Sequence, residues 1–361
     1  MISVKGSLLS RLQQTIVLFR QEAHITQKPL LSLLTDALHI YFSHGIGPNY
    51  YLLAGMARND FPSQQRDAHL SSKEYTAVLD ILNPPEYRKL TQSKLNEKAL
   101  YQFLKIPTAA FIGYYHPTKG FDTDDNPLTT FEQFRQLLVS NLDNTLCFKP
   151  IEGWGGHGFI ACHIKVVNGE IKLKKIFSEK EFTIEEFTQY LTNNISKTDL
   201  LIEKYIQQST AYAKYNDSSL NTVRVWVLES REIEVIGAYF RVGRVGSQVD
   251  NGDSGGIMCP VNIDTGEIQP GLITNTPVRN NFSSHPDNGT LLAGYILDRW
   301  HEIVTFSCEV LRKLPNLQFA GLDIAMTENG PVLVETNVCP DKDGAAFARI
   351  PSIKCKLAID R

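Results

Sequence analysis

The sequence has no excess of charge of either sign, no closely spaced cysteines and no internal repeat. Its 361 residues carry 36 Lys and Arg against 39 Asp and Glu, which gives a formal net charge of −3. A chain this close to neutral gives no electrostatic reason to expect nucleic acid or an anionic membrane as a partner. A hydrophobic content of 42% with 21% charged residues excludes a disordered or collagen-like chain. A globular protein of two or three structural units is therefore expected.

The cysteines and the N-terminus point to a reducing compartment. No C-x-x-C pair occurs among the six cysteines, which argues against a zinc ribbon or a disulfide framework. The first 20 residues carry Lys5, Arg11 and Arg20 and lack a small-residue cleavage pattern. Residues 37–57 contain no Asp, Glu, Lys or Arg, but polar residues, glycine and proline interrupt them, so a buried helix-turn is favoured over a membrane span. We expect a cytoplasmic protein.

The first 105 residues have the pattern of a helical region. Ser93 precedes apolar residues at helical spacing, and Pro107 ends that helix. Residues 113–127 are rich in Gly, Pro and Asp and are interpreted as a linker or loop. Thr130 with Gln133 forms a capping-box pattern, which predicts that another helix begins there.

From Thr145 the pattern changes to strands. One capped helix is predicted after Thr183, and an amphipathic helix is predicted at about 295–314. Strands do not alternate with helices as they do in a parallel sheet, so the predicted fold class is α+β. The predicted strands are 145–149, 159–167, 171–177, 200–205, 222–228, 233–242, 319–326 and 331–338.

A glycine-rich loop, GWGGHG, occupies residues 153–158 and contains Gly153, Gly155, Gly156 and Gly158. It satisfies G-x-G-x-x-G, but a dinucleotide fold needs a helix after the loop and the next residues are strand-like. A strand–glycine loop–strand unit is typical of a flap over nucleotide phosphates, to which Lys149 would add a cation. The alternative is a flexible turn beside a solvated lysine. A protein kinase is excluded because H-R-D and D-F-G motifs are absent.

A second glycine-rich segment, GDSGG at 252–256, imitates the nucleophile loop of serine hydrolases around Ser254. A trypsin-like enzyme needs His and then Asp upstream in a suitable setting, and a hydrolase elbow needs a helix after the serine. Neither context is present, because the residues that follow look extended. A glycine-rich turn is therefore favoured over a nucleophile.

The third signal is a predicted C-terminal hairpin that carries Asp323 on one strand and Glu335 and Asn337 on the other. Two carboxylates and an amide oxygen are ligands suited to Mg²⁺. A two-residue turn at 329–330 would place Asp323 and Glu335 on opposite faces, whereas a three-residue loop at 329–331 places all three on one face. The metal hypothesis therefore predicts the three-residue loop. The alternative is that these acidic residues simply face solvent.

The order of these features resembles the ATP-grasp superfamily. The matching segments are, in chain order, Ser93-Lys94, KIPTAAFIG at 105–113, CFKP at 147–150, GWGGHG at 153–158, LIEKYI at 201–206, and GLDIAM with VLVETN within 321–337. NTVRVWV, FRVGR, VDN-x-x-x-GGI and HPD-x-G look closer still to the sugar-transfer-associated branch, whose members occur near polysaccharide and glycoconjugate genes. The resemblance covers roughly 90–345.

The resemblance implies two α+β subdomains that grip ATP, and it implies roles for particular residues. Lys94, Lys149 and the glycine loop would contact ATP phosphates. Glu203 would accept from the adenine amino group, with Tyr205 and Ile206 in the adenine hinge. Asp323, Glu335 and Asn337 would hold Mg²⁺, and Arg224 and Arg241 would stabilise the transferred phosphoryl group. The sequence departs from the family at 337–341, where many members have a small residue and Pro-Gly.

The expected organisation follows from the same resemblance. It comprises a helical N-terminal region at 1–90, an N-terminal or central subdomain at 91–145, a lid subdomain with the glycine loop at 146–206, and a C-terminal subdomain with the metal hairpin at 207–361. The expected activity is that of an ATP-dependent, ADP-forming ligase that joins a small carboxylate to an amine or thiol through an acyl phosphate. The alternatives are a phosphotransferase acting on a sugar hydroxyl and a nucleotide-binding scaffold without activity.

Overall fold

Two antiparallel seven-stranded sheets form the framework of the computed structural model, which describes residues 8–153, 158–196, 199–273 and 277–360. Six helices precede the first strand, as the sequence predicts. They are α1 (Leu8–Thr26), α2 (Leu30–His44), α3 (Pro48–Ala54), α4 (Ser72–Leu82), α5 (Pro85–Gln92) and α6 (Lys94–Phe103). No helix in the described ranges has the length and apolarity needed to cross a bilayer.

The uncharged segment 37–57 forms the predicted helix-turn, but only its second half, residues 50–57, is buried throughout, and Leu38, Tyr41 and Phe42 are exposed. It contains the end of α2 and all of α3, and Tyr51, Leu52 and Ala54 are fully buried. These residues pack with Phe19 of α1 into one apolar cluster. Burial of this apolar surface accounts for the lack of charge in the second half of the segment.

The N-terminal sheet consists of β1 to β7. Its spatial order is β2 (Phe121–Asp122), β1 (Phe111–Tyr115), β7 (Leu200–Lys204), β3 (Thr145–Lys149), β4 (Ile160–Val167), β5 (Glu170–Lys175) and β6 (Glu181–Phe182). Helices α7 (Phe131–Ser140) and α8 (Ile184–Asn194) cover one face, where Phe134 of α7 and Phe187 of α8 pack with Phe148 of β3. Both begin at complete capping boxes, at Thr130 and at Thr183, as predicted.

The predicted linker at 113–127 is wrong in its first half, because β1 and β2 form a hairpin there. Gly113 pairs with Asp122, and a Cβ on Gly113 would lie 2.8 Å from Leu128 Cδ2. The glycine therefore permits close packing within a strand and does not mark a loop. The aromatic run FIGYY was the overlooked strand signal.

The C-terminal sheet consists of β8 to β14. Its spatial order is β12 (Asn281–Phe282), β11 (Gly271–Ile273), β10 (Ile257–Val261), β9 (Ile233–Val242), β8 (Thr222–Glu229), β13 (Phe319–Thr327) and β14 (Gly330–Asn337). The remaining helices are α9 (Thr210–Ala213), α10 (Trp300–Lys313), α11 (Lys342–Ala348) and α12 (Ile353–Ile359). Helix α10 begins at Trp300, five residues later than predicted, because residue 296 forms a β-bridge with Glu267.

Alternation along β8 separates the core from the functional face. Val223 and Val225 belong to the cluster that packs with Ile303 of α10. Thr222 and Arg224 point to the opposite face.

The subdomain boundaries at 90, 145 and 206 stay a prediction. Strands β1 and β2 share one sheet with β3 to β7.

The C-terminal hairpin has a two-residue turn and a β-bulge, so the predicted three-residue loop is wrong. Thr327 pairs with Gly330 across the turn, and this register continues to the pair Ile324–Leu333. The next pair is Asp323–Glu335, which leaves Val334 without an opposite residue. This extra residue shifts the register by one and brings Glu335 to the face of Asp323. The bulge thus has the effect that the odd loop was expected to have.

Candidate active site

Residues of both sheets and of α6 line a cavity of about 230 Å³. The predicted residues that line it are Lys94, Lys149, Gly153, Arg224, Arg241, Asp323, Glu335 and Asn337. Glu97, Thr222, Gln248, Asp250 and Asn251 also line it, although the sequence analysis did not single them out for a role. The chain therefore brings together residues separated by more than 200 positions.

Glu203 lies in an ion-paired cluster at the N-terminal sheet. Its strand β7 pairs with β3, Cys147 lies opposite Glu203, and Lys149 is two residues further along on the same face. Lys149 Nζ contacts one carboxylate oxygen of Glu203, and Lys98 Nζ contacts the other. Burial raises the pKa of Glu203, but the attraction of the two lysines outweighs it and holds the pKa below its usual range.

Lys98 is a functional candidate that the sequence analysis missed. Besides Glu203, its Nζ donates to Thr108 Oγ1 at 2.9 Å and to Ala109 O at 2.9 Å. Burial lowers the pKa of Lys98, with opposing attraction from Glu203. The available signal was spacing, since Lys98 follows Lys94 by four residues and shares its helix face.

Lys94 reaches the start of the glycine loop. Its Nζ donates to Gly153 O at 2.8 Å, and its backbone N–H donates to Ile151 O at 3.0 Å. Gly153 and Gly158 have φ values of +142° and +77°, which side chains rarely adopt. The predicted Gly155 and Gly156 lie outside the described residues.

The predicted adenine hinge continues from β7. Tyr205 N–H donates to Thr145 O at 2.9 Å, which ties the hinge to β3. Within the described residues, Ile206 N–H donates to no group. In the hinge, the Tyr205 N–H is therefore already hydrogen-bonded, whereas the Ile206 N–H could donate to a heterocycle.

Asp323 lies between two guanidinium groups on neighbouring strands. Arg224, directly opposite on β8, donates from Nε and Nη2 to the two carboxylate oxygens, and Arg241 Nη2 donates to Oδ2 at 2.9 Å. Burial opposes ionisation of Asp323, but the two arginines hold its pKa below the usual range. Both oxygens of this predicted metal ligand are thus already hydrogen-bonded.

Arg241 also joins a second acidic residue, Asp250. Its Nη2 lies 3.3 Å from Asp250 Oδ1, and its Nε donates to Thr222 Oγ1 at 2.9 Å. Thr222 donates to Asp250 Oδ2 from its backbone N–H at 3.0 Å and from its hydroxyl at 2.6 Å. Burial raises the pKa of Asp250, with opposing attraction from Arg241. Two carboxylates therefore balance the two guanidinium groups, and these arginines bring no excess positive charge.

The face of the hairpin that carries Asp323 also carries Glu335 and Asn337. Asp323 pairs with Glu335, and Gly321 pairs with Asn337. Asn337 Nδ2 donates to Gly321 O at 3.3 Å, which leaves its amide oxygen for another partner. Glu335 and Asn337 therefore offer the hard oxygen donors that Mg²⁺ prefers. Asp323 fits this set only if a guanidinium group releases one of its oxygens.

Ser254 lies in a short 3₁₀ turn, Gly252–Ser254, which the Asn251 side chain caps by accepting from Ser254 N–H. Strand β10 follows the turn where a nucleophile elbow would have a helix.

All six cysteines lie in the described ranges, and each is a free thiol.

Comparison with solved structures finds ATP-grasp proteins at low similarity. An ATP-grasp ligase, PsnB, complexed with a phosphomimetic variant of its minimal precursor, Mg and ADP, is 13% identical with a TM-score of 0.40, over 77% of this chain and 61% of that one. The D-alanine–D-alanine ligase from Coxiella burnetii is 12% identical with a TM-score of 0.41, over 75% and 57%. The ADP complex of PurK, an N5-carboxyaminoimidazole ribonucleotide synthetase, is 11% identical with a TM-score of 0.41, over 74% and 52%. This chain thus spans between half and two thirds of their lengths.

A sequence-family comparison covers more of the chain. No curated protein matches it. The model of the sugar-transfer associated ATP-grasp family matches residues 74–355, which include α6, every strand of both sheets and the whole cavity. The predicted family and the predicted ATP-grasp fold are thereby confirmed: the chain belongs to the sugar-transfer associated ATP-grasp family.

Proposed function

We propose that the chain is an ATP-dependent, ADP-forming ligase that joins a small carboxylate to an amine or thiol through an acyl phosphate. The observation that carries the proposal is the single cavity in which Lys94 and Lys149 lie with Glu335 and Asn337. Phosphate-binding cations beside hard oxygen donors are what a Mg·ATP site requires. The association with sugar transfer in the family description supports a role in polysaccharide or glycoconjugate synthesis. We further propose that the substrates are small molecules and that the protein acts in the cytoplasm.

In this proposal ATP lies between the two sheets. Lys94 and Lys149 neutralise phosphate charge, and the Gly153 backbone N–H donates to a phosphate oxygen. The adenine ring lies at the hinge, where the Ile206 N–H has no partner among the described residues. Glu203 contacts both Lys98 and Lys149, so Lys149 stays close to this carboxylate when its side chain turns to a phosphate.

Glu335 and Asn337 would hold Mg²⁺, which when bound stabilises negative charge on the phosphate oxygens. Arg224 and Arg241 each use Nε and Nη2 for their contacts with Asp323 and its neighbours, so within the described part of the chain each Nη1 lacks a partner. These two groups line the cavity and are suited to an oxyanion. Asp323 orients both guanidinium groups, which act by position and charge stabilisation.

The direct test is ADP release from Mg·ATP across amino acids and uronic-acid sugars, with hydroxylamine present. An acyl phosphate is trapped as a hydroxamate together with ADP. Glu335→Gln keeps the side-chain shape but removes a ligand charge, so we expect activity to fall at least about 10²-fold with the fold retained. Circular dichroism of the variant supplies the folding control.

The other outcomes of this assay separate the alternatives. ADP release without a hydroxamate, with phosphate retained on a hydroxyl, would assign the phosphotransferase reaction. AMP in place of ADP would reject both reactions. Nucleotide binding without turnover of any substrate would favour the scaffold.

A further inference from the structure

The strand that carries Glu335 and Asn337 is an edge strand, and its free edge is held by the segment around α6. Among the strands of the described ranges β14 pairs with β13, and its other edge has an isolated parallel bridge between Leu333 and Thr108. On its other edge, Leu333 N–H donates to Pro107 O at 2.8 Å, and Thr336 N–H donates to Glu97 Oε1 at 2.8 Å. An unpaired edge normally exposes such groups to solvent. Here a side chain and a carbonyl of the preceding segment take the place of a further strand.

These two hydrogen bonds flank the bulge. Val334 is the extra residue, and the two tethered amides belong to the residue before it and to the second residue after it. Without the bulge, Asp323 would lie opposite Val334, and Glu335 would point to the other face of the sheet. The Glu335 side chain therefore points into the cavity only because of this bulge, which is a local irregularity that other contacts must stabilise.

Glu97 supplies that support from a buried position. Its side chain is 4% exposed, and the same oxygen accepts from Thr336 N–H and from the Tyr101 hydroxyl. Tyr101 also bonds to the Thr336 hydroxyl. The helix that carries Lys94 and Lys98 is thus joined at two points to the residue that lies between Glu335 and Asn337.

We propose that Glu97 is a positioning residue that fixes the bulge in β14 and so aims Glu335 and Asn337 into the cavity in register with the lysines of α6. The role rests on the proposed function, because it concerns the residues expected to hold the metal. It assigns Glu97 no contact with substrate. Its action passes through the backbone of Thr336.

The chemistry of Glu97 provides a matched pair of variants. Burial raises the pKa of Glu97 to about 8, so its carboxyl group is neutral near pH 7 and resembles an amide. Glu97→Gln keeps an oxygen that accepts from Thr336 N–H. Glu97→Met has a similar length but has no such acceptor. Neither variant carries a charge, so comparison of the two isolates the loss of the hydrogen-bond acceptor.

The experiment measures Mn²⁺ binding by electron paramagnetic resonance, with a non-hydrolysable ATP analogue present, in wild type and both variants. Outer groups that orient metal ligands contribute about 10- to 100-fold in affinity. We expect Glu97→Met to weaken Mn²⁺ binding at least about tenfold and Glu97→Gln to stay within about threefold of wild type. Hydrogen exchange at the Thr336 amide of the metal-free protein should speed up in Glu97→Met alone.

Several results would overturn the inference. Wild-type Mn²⁺ affinity in a folded Glu97→Met variant would do so, as would equal weakening in both variants. If Glu97→Met does not fold, Glu97→Leu replaces it, because its side chain also has no acceptor for the Thr336 N–H. Unchanged affinity and exchange in Glu97→Leu would then overturn the role. Wild-type protein that binds neither Mn²⁺ nor the analogue would instead overturn the proposed function, and this inference with it.

Discussion

Two buried carboxylates occupy equivalent settings on the two sheets, yet their partners differ. Glu203 on β7 lies between Lys98 and Lys149, and Asp323 on β13 lies between Arg224 and Arg241. Both acids are 2% exposed, but Glu203 faces its two cations alone, whereas Asp250 adds a second carboxylate beside Arg241. Lysine is a compact charge on a flexible stem, whereas arginine is a planar fork that binds a carboxylate through two parallel hydrogen bonds.

This difference separates a centre that can rearrange from one that is fixed. Lys149 can leave Glu203 for a phosphate, because Lys98 remains and is itself anchored by Thr108 and Ala109. Arg224 cannot turn away from Asp323 without breaking two hydrogen bonds at once. We therefore expect nucleotide binding to alter the lysine centre and to leave the arginine centre in place.

The largest expected effect is on stability when the arginine centre loses its acid. Asp323→Asn keeps the shape but leaves the buried Arg224 without a carboxylate and Arg241 with Asp250 alone, and removing one partner of such a pair costs about 3–5 kcal/mol. Glu203→Gln should cost only about 1–3 kcal/mol, because the lysines can lose a proton or turn to solvent. Urea unfolding of both variants measures the difference. Equal losses would show that the two centres are not distinct in this way.

A smaller effect separates the two lysines. Lys149→Ala should weaken ATP binding or turnover by about 10²-fold, the scale for loss of one charge-stabilising group. Lys98→Ala should change ATP affinity less than tenfold, since its Nζ is committed to Thr108, Ala109 and Glu203. Isothermal titration calorimetry with the ATP analogue distinguishes them. Unchanged affinity and turnover in Lys149→Ala would remove the phosphate assignment of that residue.

Much of the framework follows from local sequence signals. The capping boxes at Thr130 and Thr183 predict where α7 and α8 begin. The strand pattern predicts eight of the fourteen strands in the described ranges and misses β1, β2, β6, β10, β11 and β12. These features depend on neighbours within a few residues, so the sequence alone specifies them. The glycine and proline content of residues 113–127 predicts a loop, whereas the aromatic run FIGYY indicates strand β1.

The site is less accessible to sequence reasoning because it depends on contacts between distant segments. The face shared by Asp323 and Glu335 was expected from loop length, but the structure achieves it through the bulge at Val334. A bulge supported from outside the hairpin, by Glu97 and Pro107, leaves no mark within the hairpin's own sequence. The pairing of Arg241 with Asp250 likewise depends on how the loop that carries Asp250 packs against β9.

The smallest expected effect is on the free energy of unfolding in acid. The carboxylate of each centre contributes to this free energy over its own pH range. The pKa of Glu203 lies below its ordinary value of 4.5, and that of Asp323 lies below its ordinary value of 3.8. An acid with a lowered pKa in the folded protein contributes stability above the ordinary value and loses it as pH falls towards the folded value. The loss has a slope of at most about 1.4 kcal/mol per pH unit for each group.

Glu203→Gln and Asp323→Asn cannot titrate at these positions, so each variant removes one of the two contributions. In urea unfolding between pH 6 and pH 3, the stability gap between wild type and Glu203→Gln should begin to shrink below about pH 4.5. The gap to Asp323→Asn should persist until about pH 3.8 and shrink only below it. A gap that widens as the pH falls would mean that the folded pKa is raised, and the two cations would then not stabilise the charged acid. The two onsets differ because glutamate and aspartate have different ordinary pKa values, so it is the shrinking of each gap that shows that the cations stabilise the charged acid.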